Sequence, residues 1–475
     1  MVTREGFHSR YREFGGEQAH WRVGIFKIRL PFIHYAWSIP EMLQGLIMCA
    51  TCLGAVPVLT EVLGVSYEVA LSMVIINGFF YSLHILLGDP VVPGWVTPAI
   101  PIVIAFLNGY PIGVERTQAL IATQFLLGAI FLFFGITGLG SKMVHIVPQS
   151  VKAGILMGGG ISAVIGEMAA GGRFGKYPIS IIVGVIIAYV CLFSPLWQNL
   201  RKKNKIINEI GKYGMLPAIL IAVILGPLVK EIAFPKIVWW PFIKIPEFGN
   251  IWNQLSPFAI GWPSVSTWIA AIPMAAVVYI IAFGDFVTTE ALIEDAHEER
   301  PDEMIDFNAD RSNLVSGIRN VAMALTCPYT QMCGPLWAAV TAAVATRYKE
   351  GPQAMESIHS GAGTFRITTF IAVALMPISS LLQPVLPIAL SLTLLVQGYV
   401  CCDLAMSMCD NSVERGICGV MGAVLATRGA AWGLGVGIIL FFLLYQGKSH
   451  SGKVTPIEEA IPEEETPNEE KGLYC

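Results

Sequence analysis

The chain breaks an apolar stretch with four prolines at Asp89-Pro90-Val91-Val92-Pro93-Gly94-Trp95-Val96-Thr97-Pro98-Ala99-Ile100-Pro101. Proline removes a backbone donor and clashes with the preceding turn, so residues 90–101 cannot form a regular helix. At membrane depth, extended backbone survives only where it is buried in protein or lines a cavity. The stretch therefore predicts a broken membrane helix beside a cavity, unless it is a loop between two shorter spans.

A second stretch has the same proline-broken character: Ala324-Leu325-Thr326-Cys327-Pro328-Tyr329-Thr330-Gln331-Met332-Cys333-Gly334-Pro335, followed by the small-residue run 336–346. Paired interruptions at corresponding places in two halves of a chain point to the midplane substrate site of a secondary transporter. Free N–H groups at the start of each half-helix can face an anion or a carbonyl. One interruption lies in the third apolar span and the other in the tenth, which indicates a repeat of seven spans.

The composition is that of an integral membrane protein. Of the 475 residues, 54% are hydrophobic and 13% are charged, whereas roughly a quarter are charged in ordinary soluble domains. The mean hydropathy is +0.63. Apolar runs of about 17 to 25 residues recur, each long enough to cross a bilayer as a helix, and such unbroken runs exclude a barrel. We therefore predict an all-α polytopic membrane protein with about 14 transmembrane segments.

The predicted spans fall into two series separated by an aromatic segment. They lie near 42–60, 69–87, 91–107, 119–139, 144–168, 179–196 and 215–229, and then near 268–283, 314–326, 327–345, 368–382, 385–401, 404–425 and 431–445. The predicted organisation is an N-terminal arm (1–40), a first seven-span repeat (41–230), an interfacial aromatic linker (231–265), a second seven-span repeat (266–446) and a disordered acidic tail (447–475). We expect the charged segment 294–311 to be a solvated connector.

Basic residues predict the orientation. The N-terminal arm holds Arg4, Arg10, Arg12, Arg22, Lys27 and Arg29, and short loops hold Lys142, Arg201, Lys202, Lys203, Lys205, Arg347 and Lys349. If the N-terminus is placed in the cytoplasm, all of these loops also fall on the cytoplasmic side, as the positive-inside rule requires. An even number of spans then puts the C-terminus on the same side. We therefore expect both termini in the cytoplasm and a location in the cell (inner) membrane.

Two carboxylates stand at the exit of the eighth apolar run, in Gly284-Asp285-Phe286-Val287-Thr288-Thr289-Glu290. A carboxylate at bilayer depth costs at least a few kcal/mol unless it faces protein, water or a ligand. Asp285 is therefore a candidate functional residue. In the alternative interpretation it lies in the headgroup zone and only ends the helix.

The order of these parts resembles the nucleobase/ascorbate transporter (nucleobase:cation symporter) family and its relatives, the sulfate and benzoate permeases. The matching pieces are the proline-rich third span, the acidic eighth, the proline-broken tenth, and Ile146-Val147-Pro148-Gln149-Ser150-Val151-Lys152-Ala153-Gly154-Ile155-Leu156-Met157-Gly158-Gly159-Gly160. The resemblance implies two inverted seven-span repeats and a homodimer. It also implies a core domain of spans one to four and eight to eleven, with the remaining spans forming a gate domain.

The resemblance also implies a substrate site between the third and tenth spans. Asp285 matches the family's substrate-binding carboxylate by place, whereas Cys327-Pro328-Tyr329-Thr330-Gln331 has no acid where the family's tenth span usually does. The predicted substrate-binding residues are Asp285, Thr289, Tyr329, Thr330, Gln331, Thr97, Ala99 and Phe283. Asp285 and Glu290 are predicted to couple transport to H⁺ or Na⁺, and no cofactor or metal is expected.

Two substrate classes fit this set of residues. A planar purine or pyrimidine suits Asp285, amide donors and aromatic rings, because its N–H groups need acceptors and its faces stack. An anion, whether an aromatic carboxylate, a dicarboxylate or sulfate, suits the positive ends of two half-helices. We expect ion-coupled uptake of a nucleobase by alternating access, with the anion transporter as the alternative.

Other functional classes are less well supported by the residues. Membrane-embedded enzymes need clustered His, Asp or Ser/Lys groups, and the spans supply only isolated ones, so we expect no enzyme. A channel is the remote alternative, and a leak unaffected by collapsed ion gradients would distinguish it from a transporter. The expected partners are a small-molecule substrate and the lipid bilayer, with no nucleic acid.

Overall fold

The computed structural model describes residues 12–139, 148–169, 172–204, 207 and 216–444. The predicted acidic tail and the basic residues Arg4, Arg10, Lys142 and Lys205 lie outside this part. Among the described residues, six helices are long and apolar enough to cross a membrane. Four shorter apolar helices accompany them: Thr97–Leu107, Pro178–Phe193, Pro217–Leu228 and Ala430–Leu444.

The first half of the chain begins with short strands and continues in helices. The strands are β1 (Gly16–Glu17), β2 (Trp21–Val23) and β3 (Phe26–Ile28). The helices are α1 (Ile39–Leu53), α2 (Ala55–Leu63), α3 (Tyr67–Leu86), α4 (Ile100–Leu107, preceded by a 3-10 turn at Thr97–Ala99), α5 (Val114–Thr137), α6 (Gln149–Met168), α7 (Arg173–Lys176), α8 (Pro178–Phe193), α9 (Pro195–Lys203) and α10 (Leu216–Leu228).

The second half repeats the helical pattern. Its helices are α11 (Phe248–Leu255), α12 (Pro257–Ile260), α13 (Val265–Glu299), α14 (Ala309–Thr326), α15 (Ala338–Lys349), α16 (Ile358–Ala374), α17 (Met376–Leu382), α18 (Leu386–Ser407), α19 (Ser412–Arg428) and α20 (Ala430–Leu444), with β4 at Glu303–Met304. The predicted spans overlap these helices or helix pairs, although α4 and α15 cover only the second parts of the spans predicted at 91–107 and 327–345. The fold class, a polytopic helical membrane protein, is therefore confirmed.

Packing divides the helices into two groups. In the first, α14 packs on α5, α16 on α1 and α3, and α13 on α5 and α15. In the second, α18, α19 and α20 pack on α6, and α10 packs on α8. The groups correspond to the predicted core and gate domains, and α4 meets α6 where they touch.

Helix α13 is longer than the predicted span 268–283. It runs from Val265 to Glu299, and the Ser264 side chain accepts a hydrogen bond from the Thr267 N–H at its start. The sequence after Gly284 contains no proline and is rich in alanine and glutamate, which favour helix. The helix therefore continues for about four turns beyond Asp285.

The predicted solvated connector at 294–311 is also wrong. Its first part belongs to α13, and Arg300, Glu303 and Arg311 are buried. Strand β4 pairs in parallel with β1, which brings the N-terminal arm onto this segment. Arg12 donates to Asp302 at 2.7 Å, and Arg311 contacts Asp306 at 2.8 Å. The charges form an internal ion-pair network, a long-range partnership that local charge density does not reveal.

Asp302 is expected to stabilise this network only above acid pH. Hydrogen bonds from Arg300 first, and from Arg12, hold the pKa of its carboxyl at about 2, below the ordinary value of 3.8. A depressed pKa contributes stability that is present above the unfolded value and lost as the pH falls through the folded value. We expect Asp302→Asn to destabilise the protein by about 1–3 kcal/mol at pH 7.

Thermal unfolding of the purified protein across the acid range checks this prediction. The gap in Tm between Asp302→Asn and the unmodified chain should close as the pH falls from about 4 towards 2. Asp295→Asn is the matched control, because its carboxylate is 60% exposed in an ion pair with Lys349 and such pairs contribute little. A gap that stays constant down to pH 2 would contradict the assigned role of Asp302.

Candidate functional site

The two proline-broken stretches cross each other as a short antiparallel pair. The Val96 N–H donates to the Met332 carbonyl at 3.0 Å, and the Gly334 N–H donates to the Gly94 carbonyl at 2.9 Å. Trp95 and Cys333 face each other between these bonds. Each stretch thus satisfies the backbone groups that proline frees in the other, as extended chain inside a membrane protein requires.

Gly94 permits the close approach of the two stretches. A Cβ atom at this position would lie 2.8 Å from the Leu336 carbonyl oxygen and 2.9 Å from the Trp337 Cβ. Both neighbours belong to the opposing stretch, whose backbone is fixed by the Trp337 N–H bond to the Val92 carbonyl at 2.6 Å. Only glycine fits here without displacing the crossing.

A half-helix starts on each side of the crossing. The turn Thr97–Ala99 leads into α4, and α15 starts at Ala338. The first N–H groups of a helix have no intrahelical partner and carry partial positive charge. Thr97 is half-buried and Ala338 is exposed. The described residues therefore cover neither half-helix start completely.

Asp285 lies on α13, the helix that also contacts the Thr97–Ala99 turn. Its side chain is half-buried, and within the described ranges no hydrogen bond or ion pair reaches it. A Cβ atom added at the neighbouring Gly284 would meet no atom within 4 Å, so space is open next to the carboxylate. A half-buried carboxylate without a protein partner is suited to a ligand or a proton.

Tyr329, Thr330 and Gln331 are fully buried within the crossing. The Thr330 hydroxyl donates to the Gln331 Oε1 at 2.8 Å, and the Tyr329 N–H donates to Gln124 Oε1 at 2.8 Å. In the part of the chain that the structure describes, the Tyr329 hydroxyl and the Gln331 Nε2 have no partner. These residues support the crossing from inside the core domain.

The other predicted site residues differ in their surroundings. Phe283 and Ala99 are buried in the apolar core, where Phe283 packs against Phe286 at a ring-centroid distance of 5.8 Å. Thr289 is fully buried, and its hydroxyl lacks a partner among the described residues. Glu290 is exposed. Of the predicted site residues, only Asp285, Thr97 and Glu290 are therefore not buried.

The polar residues of α14 that hydrogen-bond to the crossing were not predicted from the sequence. Asn320 donates to the Cys333 carbonyl at 3.0 Å and accepts from the Cys333 N–H at 3.1 Å, as a neighbouring strand would. Arg319, next to Asn320, is also fully buried and lies beside the Cys333 thiol. The available signal was the spacing of Ser312, Ser316 and Arg319, which places polar groups on one face of a membrane helix.

Solved structures of membrane transporters share this fold. The transmembrane domain of a cyanobacterial bicarbonate transporter, BicA, matches 85% of this chain and 96% of its own, with a TM-score of 0.50 and 15% identity. SLC26A9 matches 86% of this chain and 66% of its own, with a TM-score of 0.52 and 15% identity. Murine SLC26A9, an anion transporter solved in the inward-facing state, matches 89% and 72%, with a TM-score of 0.52 and 13% identity.

These similarities place the chain in a common fold with anion transporters, at identities that establish the fold alone. No family model matches the sequence, and neither does any curated protein. The superfamily fold expected from the resemblance is therefore present. The narrower expectation of a nucleobase/ascorbate transporter gains no support from these neighbours.

Proposed function

We propose that this protein is a secondary active transporter of a small anion that works by alternating access. The observation that carries the proposal is the crossing, at which two incompletely covered half-helix starts, at Thr97 and Ala338, follow paired extended segments. At the start of α15 the first N–H groups have no intrahelical partner and carry partial positive charge. At the start of α4 the Ala99 and Ile100 N–H groups bond to the Val96 and Thr97 carbonyls, so this half-helix contributes the positive end of its dipole. Neighbours with this fold include a bicarbonate transporter and an anion transporter, which supports the anion class.

A buried positive charge near the crossing also supports an anion as the transported substrate. Arg319, beside Cys333, is fully buried. Arginine stays protonated in proteins, so it contributes a fixed positive charge behind the crossing. Asp285 carries a negative charge on α13, the helix that contacts the Thr97–Ala99 turn, and a proton bound to it would remove its repulsion of the substrate. We therefore assign Asp285 to proton coupling, so that one anion and one proton move together.

A nucleobase remains the second candidate because Asp285 has no protein partner in the described ranges. An ionised carboxylate could accept hydrogen bonds from the N–H groups of a neutral heterocycle. In that case Asp285 would bind substrate directly, and its neutralisation would abolish binding. For an anion, neutralisation would leave binding intact or strengthen it. We propose that the protein acts in the inner membrane as a homodimer in either case.

A thermal-shift screen of the purified protein tests the substrate class. A ligand that binds only the native state raises the apparent stability by mass action. The panel contains bicarbonate, sulfate, dicarboxylates and aromatic carboxylates, with uracil and xanthine as neutral heterocycles. We expect a concentration-dependent rise in Tm with at least one anion. A rise with the heterocycles alone would overturn the anion assignment.

Arg173, the first residue of α7, links the core domain to the gate domain near the C-terminal end of α2. Its guanidinium donates to Glu61 of α2 at 2.6 Å and to Glu167 of α6 at 2.7 Å. Glu167 is 2% exposed and also accepts from Ser391 at 2.6 Å. Since α2 belongs to the core and α6 to the gate, this link must open whenever the domains separate at this end.

We expect Arg173→Gln to favour separation of the domains at this end. Loss of charge-assisted hydrogen bonds that include a buried carboxylate is worth about 1–3 kcal/mol, so amide hydrogen exchange around residues 61–64 and 173–177 should rise about tenfold. Arg428→Gln is the control, because Arg428 is exposed at the end of α19. Unchanged exchange in Arg173→Gln would contradict the link.

A further inference from the structure

Two arginines meet over one aromatic ring inside the core domain. The guanidinium carbon of Arg319, on α14, lies 3.7 Å from the centroid of the Tyr81 ring, and that of Arg366, on α16, lies 4.2 Å from it. Arg319 is fully buried and Arg366 is 2% exposed. The two cationic carbons are therefore within about 8 Å of each other, with the ring of α3 as their shared contact.

Neither arginine has a carboxylate partner in the described part of the chain. Other buried arginines do: Arg29 pairs with Glu17, and Arg311 contacts Asp306 at 2.8 Å. All three guanidinium nitrogens of Arg319 and the Nε of Arg366 lack a hydrogen-bond partner among the described residues.

Asp89, a buried carboxylate that contacts His84, is already engaged. It lies 2.7 Å from His84 Nδ1 and 3.3 Å from Arg311 Nε. His84 lies close to both Arg319 and Arg366. Among the described residues, no carboxylate therefore compensates the positive charge of the arginine pair.

Most of the remaining polar groups around the pair can donate hydrogen bonds, and the acceptor Asn77 Oδ1 lies 4.0 Å from the Cys333 thiol. The hydroxyls of Tyr81 and Tyr329 are buried without a partner in the residues described. The thiol of Cys52 lies beside Arg366, and that of Cys333 beside Arg319. A cluster that offers N–H, O–H and S–H groups needs a ligand that only accepts hydrogen bonds.

We infer that Arg319, Arg366 and Tyr81 hold a small monovalent inorganic anion of the halide class. Arginine cannot lose its proton to relieve the burial, so the two charges require a counter-ion. A spherical ion accepts from donors arranged on any side, which matches guanidinium groups from two helices and hydroxyls from two more segments. The enclosure by buried side chains favours a compact ion over a bulky one.

This ion site differs from the proposed substrate site in its exposure. The substrate site uses half-helix starts that are incompletely covered, whereas Arg319 has no exposed surface. Because Cys333 belongs to the crossing and contacts Arg319, a resident anion would fix the crossing to α14 and α16. The ion is a structural component that remains during transport. Because two guanidinium groups face one monovalent anion, one positive charge remains behind the crossing. The inference stands whether the transported substrate is an anion or a nucleobase.

Bromide offers a direct test, because it replaces chloride and scatters anomalously. Crystals of the full chain grown in bromide should give an anomalous peak between the guanidinium groups of Arg319 and Arg366. A peak at the crossing alone, or none in the core domain, would overturn the inference.

A solution measurement tests the same site independently of crystals. The Tm of the purified protein should rise with the logarithm of chloride or bromide concentration, measured against gluconate at constant ionic strength. The variant Arg319→Met/Arg366→Met should fold, because removal of two unpaired buried charges relieves repulsion. Its affinity for halide should fall at least tenfold. A halide response equal to that of the unmodified chain would overturn the inference.

Arg116→Gln provides the matched control. Its guanidinium donates to the carbonyls of Tyr110 at 2.7 Å and Val62 at 3.1 Å, so it is a partly buried arginine that already has partners. Loss of these bonds should lower the Tm and leave the halide response intact. A halide response lost equally in Arg116→Gln would indicate a general effect of arginine removal and overturn the assignment to Arg319 and Arg366.

Discussion

Asp285→Asn should abolish proton-driven accumulation of the substrate anion while anion exchange continues. Asparagine resembles the protonated carboxyl in shape and charge, so the anion can still bind at the half-helix starts. It cannot take up or release the coupling proton. In proteoliposomes with an inward pH gradient, we expect uphill accumulation to fall by about tenfold or more, whereas counterflow of labelled against unlabelled anion stays within about twofold of the unmodified rate.

The same variant separates the two substrate classes. If both accumulation and counterflow disappear, Asp285 binds the substrate directly, as the nucleobase interpretation requires. If accumulation persists, coupling depends on another residue and the role of Asp285 is wrong. Asp295→Asn, a change of the same type on the exposed end of the same helix, should leave both measurements unchanged.

Gly94→Ala should disrupt the crossing and with it substrate binding. The new methyl group would meet the Leu336 carbonyl oxygen at 2.8 Å and the Trp337 Cβ at 2.9 Å. The backbone of this segment is held by the hydrogen bond from the Trp337 N–H to the Val92 carbonyl. Overpacking of this kind costs about 1–3 kcal/mol, and the half-helix starts must shift to relieve it. We expect a lower Tm and at least a tenfold loss of affinity for the transported anion.

Gly249→Ala is the control for this change. Gly249 lies within α11, and a Cβ atom there would meet nothing within 4 Å. Alanine in a helix interior is more favourable than glycine, so this variant should be as stable as the unmodified chain or slightly more so. Normal transport by Gly94→Ala would mean that the crossing does not form the site.

The elements that follow from hydropathy and proline were predictable. Apolar length alone located the spans, because a membrane helix needs about 20 apolar residues. The prolines between 90 and 101 predicted the break before α4, and those at 328 and 335 predicted the break before α15. These signals are local, so the sequence carries them without knowledge of what each segment contacts.

Features that depend on distant partners were not predictable. The pairing of β1 with β4 joins segments separated by nearly 300 residues, and charge density gave the opposite expectation for 294–311. Helix α13 continues past Asp285, because polar residues can extend a helix beyond the end of its apolar run.

Only part of the candidate site was open to prediction, because its contacts also depend on partners that are distant in sequence. Thr97 begins the turn that leads into α4, and Asp285 lies on the helix that contacts this turn. Tyr329 and Gln331 lie in a buried crossing. The sequence did not indicate this burial, because a partner such as Gln124 on α5, which accepts a hydrogen bond from the Tyr329 N–H, is remote in sequence. Arg319 and Arg366 carried no signal as a pair, since only the fold brings α14 and α16 together over Tyr81.

The central claim is that the crossing serves transport of an anion coupled to protons, and flux in proteoliposomes tests it most directly. Labelled bicarbonate, sulfate, a dicarboxylate, benzoate and uracil are offered separately, with and without an inward pH gradient. The account predicts that at least one anion accumulates against its own gradient only when the pH gradient is present. Accumulation of uracil alone, or equilibration of every anion without uphill accumulation, would contradict it.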